Sequence, residues 1–310
     1  MKNIPTVIFG LGRIGMLYGL EKKRVQPASH IESILKNQNF NLIGVCDPSN
    51  KSVNKFVDEY GEICNTFDSH IKLLRFFKER EIIPQLFVIS TPENTHFKII
   101  QDILKFFKSS MKKSIIFCEK PLTQNIETAY KIKKMLNNSN FELVVNHTRR
   151  WSKIWNLCNN NLKKIGEIQG ANFFFSTSPE NKFVNQLRDG IHIADLINWF
   201  DIKDKIHVKR LLLPYLVYDF YIWGEKGKIE VLNNGQILNL YKKVKSKRYE
   251  CFFELSLQSK TTLKNSELKD AYIEFSSFLN KKNVNLSTNL LDGIDAIKTF
   301  NTNVYQKQIK

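Results

Sequence analysis

The sequence predicts an α/β protein of two domains: a doubly wound parallel sheet first, then an α+β domain whose sheet is predominantly antiparallel. Three observations lead to this prediction. Up to about residue 148, short apolar runs alternate with amphipathic stretches at helical spacing, as in parallel sheets whose strands are joined by helices. Beyond that point, strand-like segments separated by turn residues dominate. The length of 310 residues fits two domains of ordinary size.

The composition is that of a globular protein, with 42% hydrophobic and 12% aromatic residues. No apolar run is long enough to span a membrane, and the amino terminus lacks the pattern of a signal peptide. Five scattered cysteines without a C-x-x-C pair favour reduced thiols over disulfides or a zinc site. We therefore expect a cytoplasmic protein with no metal and no membrane partner.

The formal net charge of +17 could indicate a nucleic-acid surface. The lysines, however, are spread along the whole chain among many Asn, Ile and Phe residues, without an RRM, zinc-finger or basic-helix pattern. A compositional bias explains the charge as simply. We expect no nucleic-acid partner, and the positive charge favours an anionic small-molecule substrate.

In the first domain, expected to cover residues 1–148, strands and helices alternate. The predicted strands are residues 4–10, 41–47, 85–90, 114–120 and 142–148. A helical stretch to about Leu20 is predicted after the glycine motif at 10–15, and further helices are predicted at 51–60, 68–79, 95–107 and 126–136. Ser29 with Glu32 forms a capping box, so a further helix should begin near His30. Residues 18–29 then form a loop inserted into the first crossover, close to the cofactor or merely on the surface.

The second domain is expected to cover residues 149–310, with a last helix able to pack back on the first domain. A strand (167–176) and a helix (189–200) precede an antiparallel meander over 206–260, and helices at 266–280 and 288–306 close the chain. In VYDFYIW, residues 217–223, both alternating sets are mainly apolar or aromatic, with Asp219 as the exception. A second subunit or an intrachain lid should therefore cover the outer face, and we expect a homo-oligomer, either a dimer or a tetramer.

A glycine-rich turn between the first strand and the following helix predicts a dinucleotide site. The turn consists of Gly10, Leu11, Gly12, Arg13, Ile14 and Gly15. Its glycines allow a tight turn, a close approach of the backbone to a pyrophosphate, and close helix packing. Asp47 ends the second strand, where a carboxylate can accept both ribose hydroxyls and repel a 2′-phosphate. NAD is therefore favoured over NADP, although Asp47 lies further from Gly15 than the roughly 20 residues expected.

Six motifs in order resemble the Gfo/Idh/MocA family, which contains glucose–fructose oxidoreductase, inositol dehydrogenase and rhizopine-catabolism enzymes. They are GLGRIG (10–15), VCD (45–47), ISTPENTH (89–96), CEKP (118–121), NHTRRW (146–151) and DGIHIADLINWF (189–200). The resemblance covers nearly the whole chain and is specific to the family but not to a substrate. It implies a Rossmann domain followed by a substrate-binding domain, and an NAD(P)-dependent oxidoreductase acting on a sugar or cyclitol.

The resemblance also implies roles for a cofactor-binding set in the first domain. Glu119 contacts the nicotinamide ribose, Lys120 lies between the nicotinamide and the substrate hydroxyl, and Pro121 follows a cis bond. An ammonium there stabilises a developing alkoxide. Thr91 and Pro92 line the cofactor groove, and His96 either contacts the cofactor or packs at its helix end. Glu93 stands where the family usually has Asn.

In the second domain the resemblance implies a proton-transfer pair, His192 as general acid/base and Asp189 as the carboxylate that orients it. The family usually separates the two by four positions, whereas this chain has three, so Asp189 is the less secure of the pair. Asp195 is expected to be structural. His30, His70 and His207 have no companions at catalytic spacing and are expected to be surface or capping residues.

Three arginines, Arg149, Arg150 and Arg188, should approach the mouth of the active site if the resemblance holds. Guanidinium groups suit phosphate or carboxylate, so the substrate is expected to be anionic, such as a nucleotide sugar or a sugar acid. One arginine could instead hold the cofactor and another be structural. Two other functions stay open: a redox sensor that binds NAD without turnover, and an enzyme that uses NAD transiently in sugar elimination or hydrolysis.

Overall fold

A computed structural model describes residues 3–176, 186–264, 266–280 and 282–302, without the side chains of residues 186, 188 and 189. The chain divides into two compact units. The first consists of Met1–Thr148 with Ser266–Ile294, and the second of Arg149–Asn265 with Asp295–Lys310. Within the described residues, no helix combines the length and the apolarity needed to span a bilayer.

The described part of the first unit contains a six-stranded parallel sheet. Its strands are β1 (Ile4–Phe9), β2 (Phe40–Cys46), β3 (Asn65–Phe67), β4 (Leu86–Ile89), β5 (Ser114–Cys118) and β6 (Phe141–Val145). They pair in the order β3-β2-β1-β4-β5-β6. Every residue of β4 and β5 is buried, as expected of parallel strands covered by helices on both faces. The predicted doubly wound sheet is confirmed.

Five helices connect these strands. They are α1 (His30–Leu35), α2 (Asn50–Tyr60), α3 (His70–Glu79), α4 (Glu93–Phe107) and α5 (Ile126–Leu136). Polar side chains fix several of the starts: Ser29, Ser49 and Asn125 each accept a hydrogen bond from a backbone N–H in the first turn that follows. The start of α1 at His30 is the one that the capping box predicts.

The described part of the second unit is built around a mixed sheet. Its elements are α6 (Lys153–Asn161), β7 (Ile168–Ser176), α7 (Gln186–Phe200), β8 (Ile206–Arg210), β9 (Val217–Gly224), β10 (Gly227–Leu232), β11 (Ile237–Lys245) and β12 (Phe253–Thr262). The strand order is β12-β11-β10-β9-β7-β8, and all the pairs except β7 with β8 are antiparallel. The predicted predominantly antiparallel sheet is confirmed.

The expected meander was wrong at its first strand. Over residues 206–260 the sequence predicts sequential antiparallel neighbours, but β8 runs parallel to β7, and β9 pairs with β7 instead. The helix α7 connects β7 to β8, and a helical crossover brings a chain back parallel to the strand it left. The meander therefore consists of β9 to β12.

Two helices follow the second sheet, α8 (Glu267–Leu279) and α9 (Leu290–Phe300). Both lie where the sequence predicts helices, and residues 303–306 of the predicted last helix lie outside the described residues. The helix α8 belongs to the first unit. Its Tyr272 and Phe275 are fully buried, and the ring of Phe275 lies 4.7 Å from that of Phe117 in β5. A segment distant in sequence thus completes the core of the first unit behind β5.

Candidate functional site

A cleft of about 650 Å³ opens in the first unit at the carboxyl ends of β1, β2 and β4. From β1 the chain continues to β2 and β3 on one side of the sheet, and from β4 it continues to β5 and β6 on the other side. The loops that follow β1 and β4 therefore diverge and leave a crevice between them. Five of the predicted cofactor-binding residues line this cleft: Gly10, Gly12, Asp47, Thr91 and Pro92. The structure therefore brings together the adenosine side of the predicted cofactor site.

The glycine turn after β1 is shaped by two close approaches. Gly10 has φ +97°, and a Cβ on it would lie 2.8 Å from the carbonyl oxygen of Ser90. A Cβ on Gly15 would lie 2.3 Å from the carbonyl oxygen of Gly10. A Cβ on Gly12, by contrast, meets nothing within 4 Å, so the backbone at Gly12 faces open space in the cleft, where a pyrophosphate fits. Between the glycines, Leu11 is buried, Ile14 is half-buried and Arg13 is exposed.

The helix predicted to begin at this turn is not an α-helix. Residues 13–16 form a turn, and only a 3₁₀ turn, Leu17–Leu20, follows. The reason is competition for carbonyl groups: the backbone N–H groups of His30 and Ile31 donate to the carbonyl oxygens of Ile14 and Gly15, at 2.9 and 3.0 Å. An α-helix through the turn would need these oxygens for its own ladder. The inserted loop therefore returns the chain to the glycine turn, where α1 begins in place of a continuous first helix.

Asp47 follows β2, and its carboxylate is tied to the glycine turn. One oxygen accepts the backbone N–H of Leu11 at 2.8 Å, and the other accepts the N–H of Ser49 at 2.9 Å. Each carboxylate oxygen can accept a further bond, so the group can still receive ribose hydroxyls. Asp47 and the open backbone at Gly12 both line the cleft. The carboxylate fits the adenosine ribose of NAD, and the open backbone fits its pyrophosphate.

Several cleft residues were missed by the sequence reasoning. Asp68, Ser69 and His70 follow β3, and Lys98 lies on α4. His70 Nε2 lies 2.9 Å from a carboxylate oxygen of Asp102, so it has an acidic partner that the sequence did not suggest. The signal was available: polar residues directly after a strand are candidates by the strand-end rule, but β3 has only three residues and was not predicted as a strand.

His96 connects the loop after β4 with the loop after β5. It is 1% exposed, its Nε2 lies 2.9 Å from the carbonyl oxygen of Thr91, and its Nδ1 lies 3.1 Å from that of Pro121. Burial lowers the pKa of His96, against the opposing effect of these carbonyl groups. The geometry gives His96 a structural task between two loops, and its cofactor contact stays a prediction.

Glu119 follows β5 and is 8% exposed. Its carboxylate accepts from the Asn146 side chain, and His30 Nε2 lies 3.0 Å from the same oxygen. Burial tends to raise the pKa of Glu119, but the hydrogen bond and charge of His30, the hydrogen bond of Asn146 and the charge of Lys120 hold it below its usual value. The carboxylate is therefore ionised at neutral pH.

The expectation that His30 is a surface or capping residue was wrong. His30 is 1% exposed and lies between Glu119 and Tyr272, with both ring nitrogens at hydrogen-bond distance. The physical reason is the inserted loop, which returns the chain to the sheet at α1, together with α8, which closes over it. Neither the spacing around His30 nor that around Tyr272 shows this in the sequence, because their partners are distant along the chain.

Lys120 and Pro121 follow Glu119 at the carboxyl end of the sheet. Lys120 is half-buried, and its backbone N–H lies 3.3 Å from a Glu119 carboxylate oxygen. The Lys120–Pro121 bond is cis, as the resemblance implies. The chain thus turns directly after β5 and leaves a charged pair, carboxylate and ammonium, at the strand end.

The remaining predicted residues belong to the second unit. His192 is half-buried on α7, and the Arg149 guanidinium lies 4.5 Å from the centre of the Tyr218 ring. Arg150 binds Asp195 with two nitrogens, at 2.8 and 3.1 Å, and Asp195 is 1% exposed. Asp195 thus has a structural partner, and the substrate contact of Arg150 stays a prediction. The side chains of Arg188 and Asp189 lie outside the described residues.

Residues 4–147 match the model of the Gfo/Idh/MocA family, described as an oxidoreductase family with an NAD-binding Rossmann fold. This match confirms the resemblance carried by the motifs and identifies NAD as the cofactor. Among curated proteins, none matches the sequence significantly.

Solved structures resemble the chain over nearly its whole length. UDP-N-acetylglucosamine 3-dehydrogenase GnnA from Acidithiobacillus ferrooxidans is 16% identical, with a TM-score of 0.71 and 98% of each chain covered. The WlbA dehydrogenase from Bordetella pertussis, solved with NADH and UDP-GlcNAcA, is 14% identical, with a TM-score of 0.68 and coverage of 96% of this chain and 95% of that one. An oxidoreductase from Sinorhizobium meliloti is 13% identical, with a TM-score of 0.72 and coverage of 99% and 98%. At these identities the likeness shows the fold alone.

Proposed function

We propose, from the match of residues 4–147 to the Gfo/Idh/MocA oxidoreductases, that the chain transfers a hydride between NAD and a carbinol carbon of a sugar. The observation that carries the proposal is the charged pair after β5, where Lys120 follows an ionised and buried Glu119. A half-buried ammonium at a strand end of a dinucleotide-binding sheet suits a reaction that develops negative charge on a substrate oxygen.

The nicotinamide supplies the hydride acceptor or donor when NAD is bound. Lys120 stabilises the alkoxide that develops at the substrate carbinol and so lowers the pKa of that alcohol. His192 takes up the hydroxyl proton during oxidation and returns it during reduction, because an imidazole exchanges protons near neutral pH. Asp189 orients His192, and Glu119 holds the nicotinamide ribose.

The proposed substrate is anionic, such as a nucleotide sugar or a sugar acid. The support is the arginines that follow β6 and precede Asp189 in a strongly basic chain. Because Arg150 already binds Asp195, Arg149 and Arg188 carry most of this part of the proposal. The UDP-N-acetylglucosamine 3-dehydrogenase GnnA and the WlbA dehydrogenase, which was solved with UDP-GlcNAcA, share the fold. They make UDP-linked sugars the first compounds to try.

Replacing Arg188 by Ala is expected to raise the KM for the anionic substrate about tenfold or more and to change kcat little. The reason is the loss of a charge-assisted hydrogen bond to the substrate, a contact of about 1.5–3 kcal/mol. Arg248, whose side chain is 76% exposed, provides the matched control. Arg248→Ala should leave KM unchanged, and an unchanged KM in Arg188→Ala would rule out this substrate contact.

The proposed reaction is tested by incubating the protein with NAD and a panel of nucleotide sugars, sugar acids and inositols, while NADH absorbance is followed. NADH should appear with one compound or a few, and Lys120→Ala should abolish it. NAD binding without turnover across the panel would contradict the dehydrogenase and favour a sensor or an enzyme with transient redox chemistry. Tight, steeply salt-dependent binding of DNA or RNA would favour a nucleic-acid protein instead.

The outer face of β9 supports the proposal of a homo-oligomer. Tyr221 and Trp223 are half-buried and stack at 6.0 Å, and the Lys228 ammonium lies 5.2 and 5.3 Å from their rings. A second copy of the chain could cover such an aromatic face. Light scattering across a concentration series is expected to give the mass of a dimer or tetramer, and a monomer throughout would contradict this assignment.

A further inference from the structure

Four buried polar side chains meet behind the end of β5, although they come from distant parts of the chain. His30 begins α1, Glu119 follows β5, Asn146 follows β6, and Tyr272 lies in α8. Their exposed fractions are 1%, 8%, 1% and 0%. Burying a polar group is costly unless it is hydrogen-bonded. Hydrogen bonds among these four side chains, called here the Glu119 cluster, therefore offset the cost of burying them.

The cluster has a definite chain of contacts. His30 Nδ1 lies 3.0 Å from the hydroxyl oxygen of Tyr272, and His30 Nε2 lies 3.0 Å from Oε1 of Glu119. The Nδ2 of Asn146 donates to the same Oε1, and the backbone N–H of Lys120 lies 3.3 Å from Oε2. The imidazole therefore stands between a phenol and a carboxylate, and it contacts both.

The chemistry of the two outer groups fixes the direction of these hydrogen bonds. Burial and the charge of Glu119 raise the pKa of Tyr272 well above its usual range, so the phenol keeps its hydrogen. Glu119 is ionised and can only accept. The hydrogen between His30 and Glu119 therefore belongs to Nε2, and the Tyr272 hydroxyl can donate to Nδ1. In the neutral imidazole, Tyr272 thus selects the tautomer in which His30 donates to Glu119.

We propose that Tyr272 and His30 are positioning residues that orient the Glu119 carboxylate toward the nicotinamide ribose. His30 and Asn146 occupy Oε1, so Oε2, which takes the longer bond from the Lys120 N–H, has lone-pair capacity for a ribose hydroxyl. This inference rests on the proposed function, in which Glu119 contacts that ribose. It makes α8 a supporting part of the nicotinamide site, through Tyr272.

The test compares the binding of NAD with the binding of ADP, which carries the adenosine half of the cofactor and lacks the nicotinamide ribose. His30→Leu removes the donor, His30→Gln places an amide nitrogen near the position of Nε2, and Tyr272→Phe removes one hydroxyl. Dissociation constants are measured by calorimetry for both ligands. His30→Leu should weaken NAD about tenfold or more, as expected for one hydrogen bond to a charged group, and ADP less than about twofold.

The conservative variants provide a measurement that would not change if His30 and Tyr272 had only a structural role. His30→Gln should recover most of the NAD affinity, and Tyr272→Phe should weaken NAD about two- to threefold with ADP unaffected. If His30→Leu fails to fold, these two variants decide the question. Asp47→Ala is the opposite control, since it should weaken both ligands through the adenosine side.

Two results would overturn the inference: unchanged NAD affinity in the His30 and Tyr272 variants, or equal losses of NAD and ADP affinity, which would give these residues a folding role only. The failure of the proposed function looks different. If the variants lose affinity for NAD selectively but the protein oxidises no sugar, the positioning roles are supported and the proposed reaction is wrong. A wild-type protein that binds ADP but not NAD would overturn both.

Discussion

The two ends of the proposed cofactor site in the first unit are held by different means. At the adenosine end, each contact joins a side chain to a backbone group of the glycine turn: the Leu11 N–H donates to Asp47, and the Ser90 hydroxyl donates to the Gly10 carbonyl oxygen. At the proposed nicotinamide end, the Glu119 carboxylate is held by side chains from other segments, His30 and Asn146. One end depends on where the backbone lies, and the other on which side chains meet.

This difference predicts how each end responds to substitution. A backbone-built site fails when an added atom displaces the chain, and it tolerates changes in side chains that point away. A side-chain-built site fails when one donor is removed, because the buried partner that remains loses its hydrogen bond. Mutations that test the adenosine end should therefore add atoms, whereas those that test the nicotinamide end should remove them.

The largest effect is expected at the glycine turn, from a matched pair of substitutions. In Gly15→Ala the new Cβ would lie 2.3 Å from the Gly10 carbonyl oxygen, a backbone atom, so the turn must shift. We expect a loss of about 1–3 kcal/mol in the free energy of unfolding, measured by denaturant titration. In Gly12→Ala the Cβ meets nothing within 4 Å, so stability should change by less than about 0.5 kcal/mol.

The same pair separates folding from binding. If the pyrophosphate binds in the open space at Gly12, as proposed, Gly12→Ala should weaken NAD about tenfold or more while the protein stays folded. Calorimetric titration with NAD measures this directly. A stable Gly15→Ala variant, or a Gly12→Ala variant with undiminished NAD affinity, would break the assignment of the turn.

The same contrast explains which parts of the site could be predicted from the sequence. The glycine turn and Asp47 were predictable because a short motif after a strand determines a local backbone geometry. His30 and Tyr272 were not, since their neighbours are set by an inserted loop and by a helix that follows the whole second sheet. The parallel pairing of β8 escaped prediction for a related reason: hydrophobic alternation indicates a strand but not its partner.

The next effect in size concerns the choice of cofactor at Asp47. Asp47→Asn keeps an acceptor for the Leu11 N–H but removes the negative charge that is proposed to face the ribose. We expect NAD affinity to fall about tenfold and the ratio of NADP to NAD affinity to rise by a similar factor, since a 2′-phosphate is no longer repelled. Glu59→Gln, on the exposed face of α2, is the charge-matched control. An unchanged affinity ratio would place the selectivity elsewhere.

The smallest effect concerns His96, which joins the two ends through the carbonyl groups of Thr91 and Pro121. Burial lowers the pKa of His96 below the ordinary value of 6.5. As the pH falls below that value, the unfolded chain binds a proton before the folded chain does. The free energy of unfolding should therefore decrease on acidification, by at most about 1.4 kcal/mol per pH unit from this group.

His96→Gln should flatten this dependence between about pH 7 and 5, because glutamine does not titrate there. Denaturant unfolding at several pH values in both proteins measures it. The lowered pKa of Glu119 acts in a different window: its contribution is lost only as the pH falls below its ordinary value of 4.5. A slope difference confined to the higher window therefore identifies the histidine that bridges the two loops. Parallel curves for the two proteins would show that the pKa of His96 is not lowered in the folded protein.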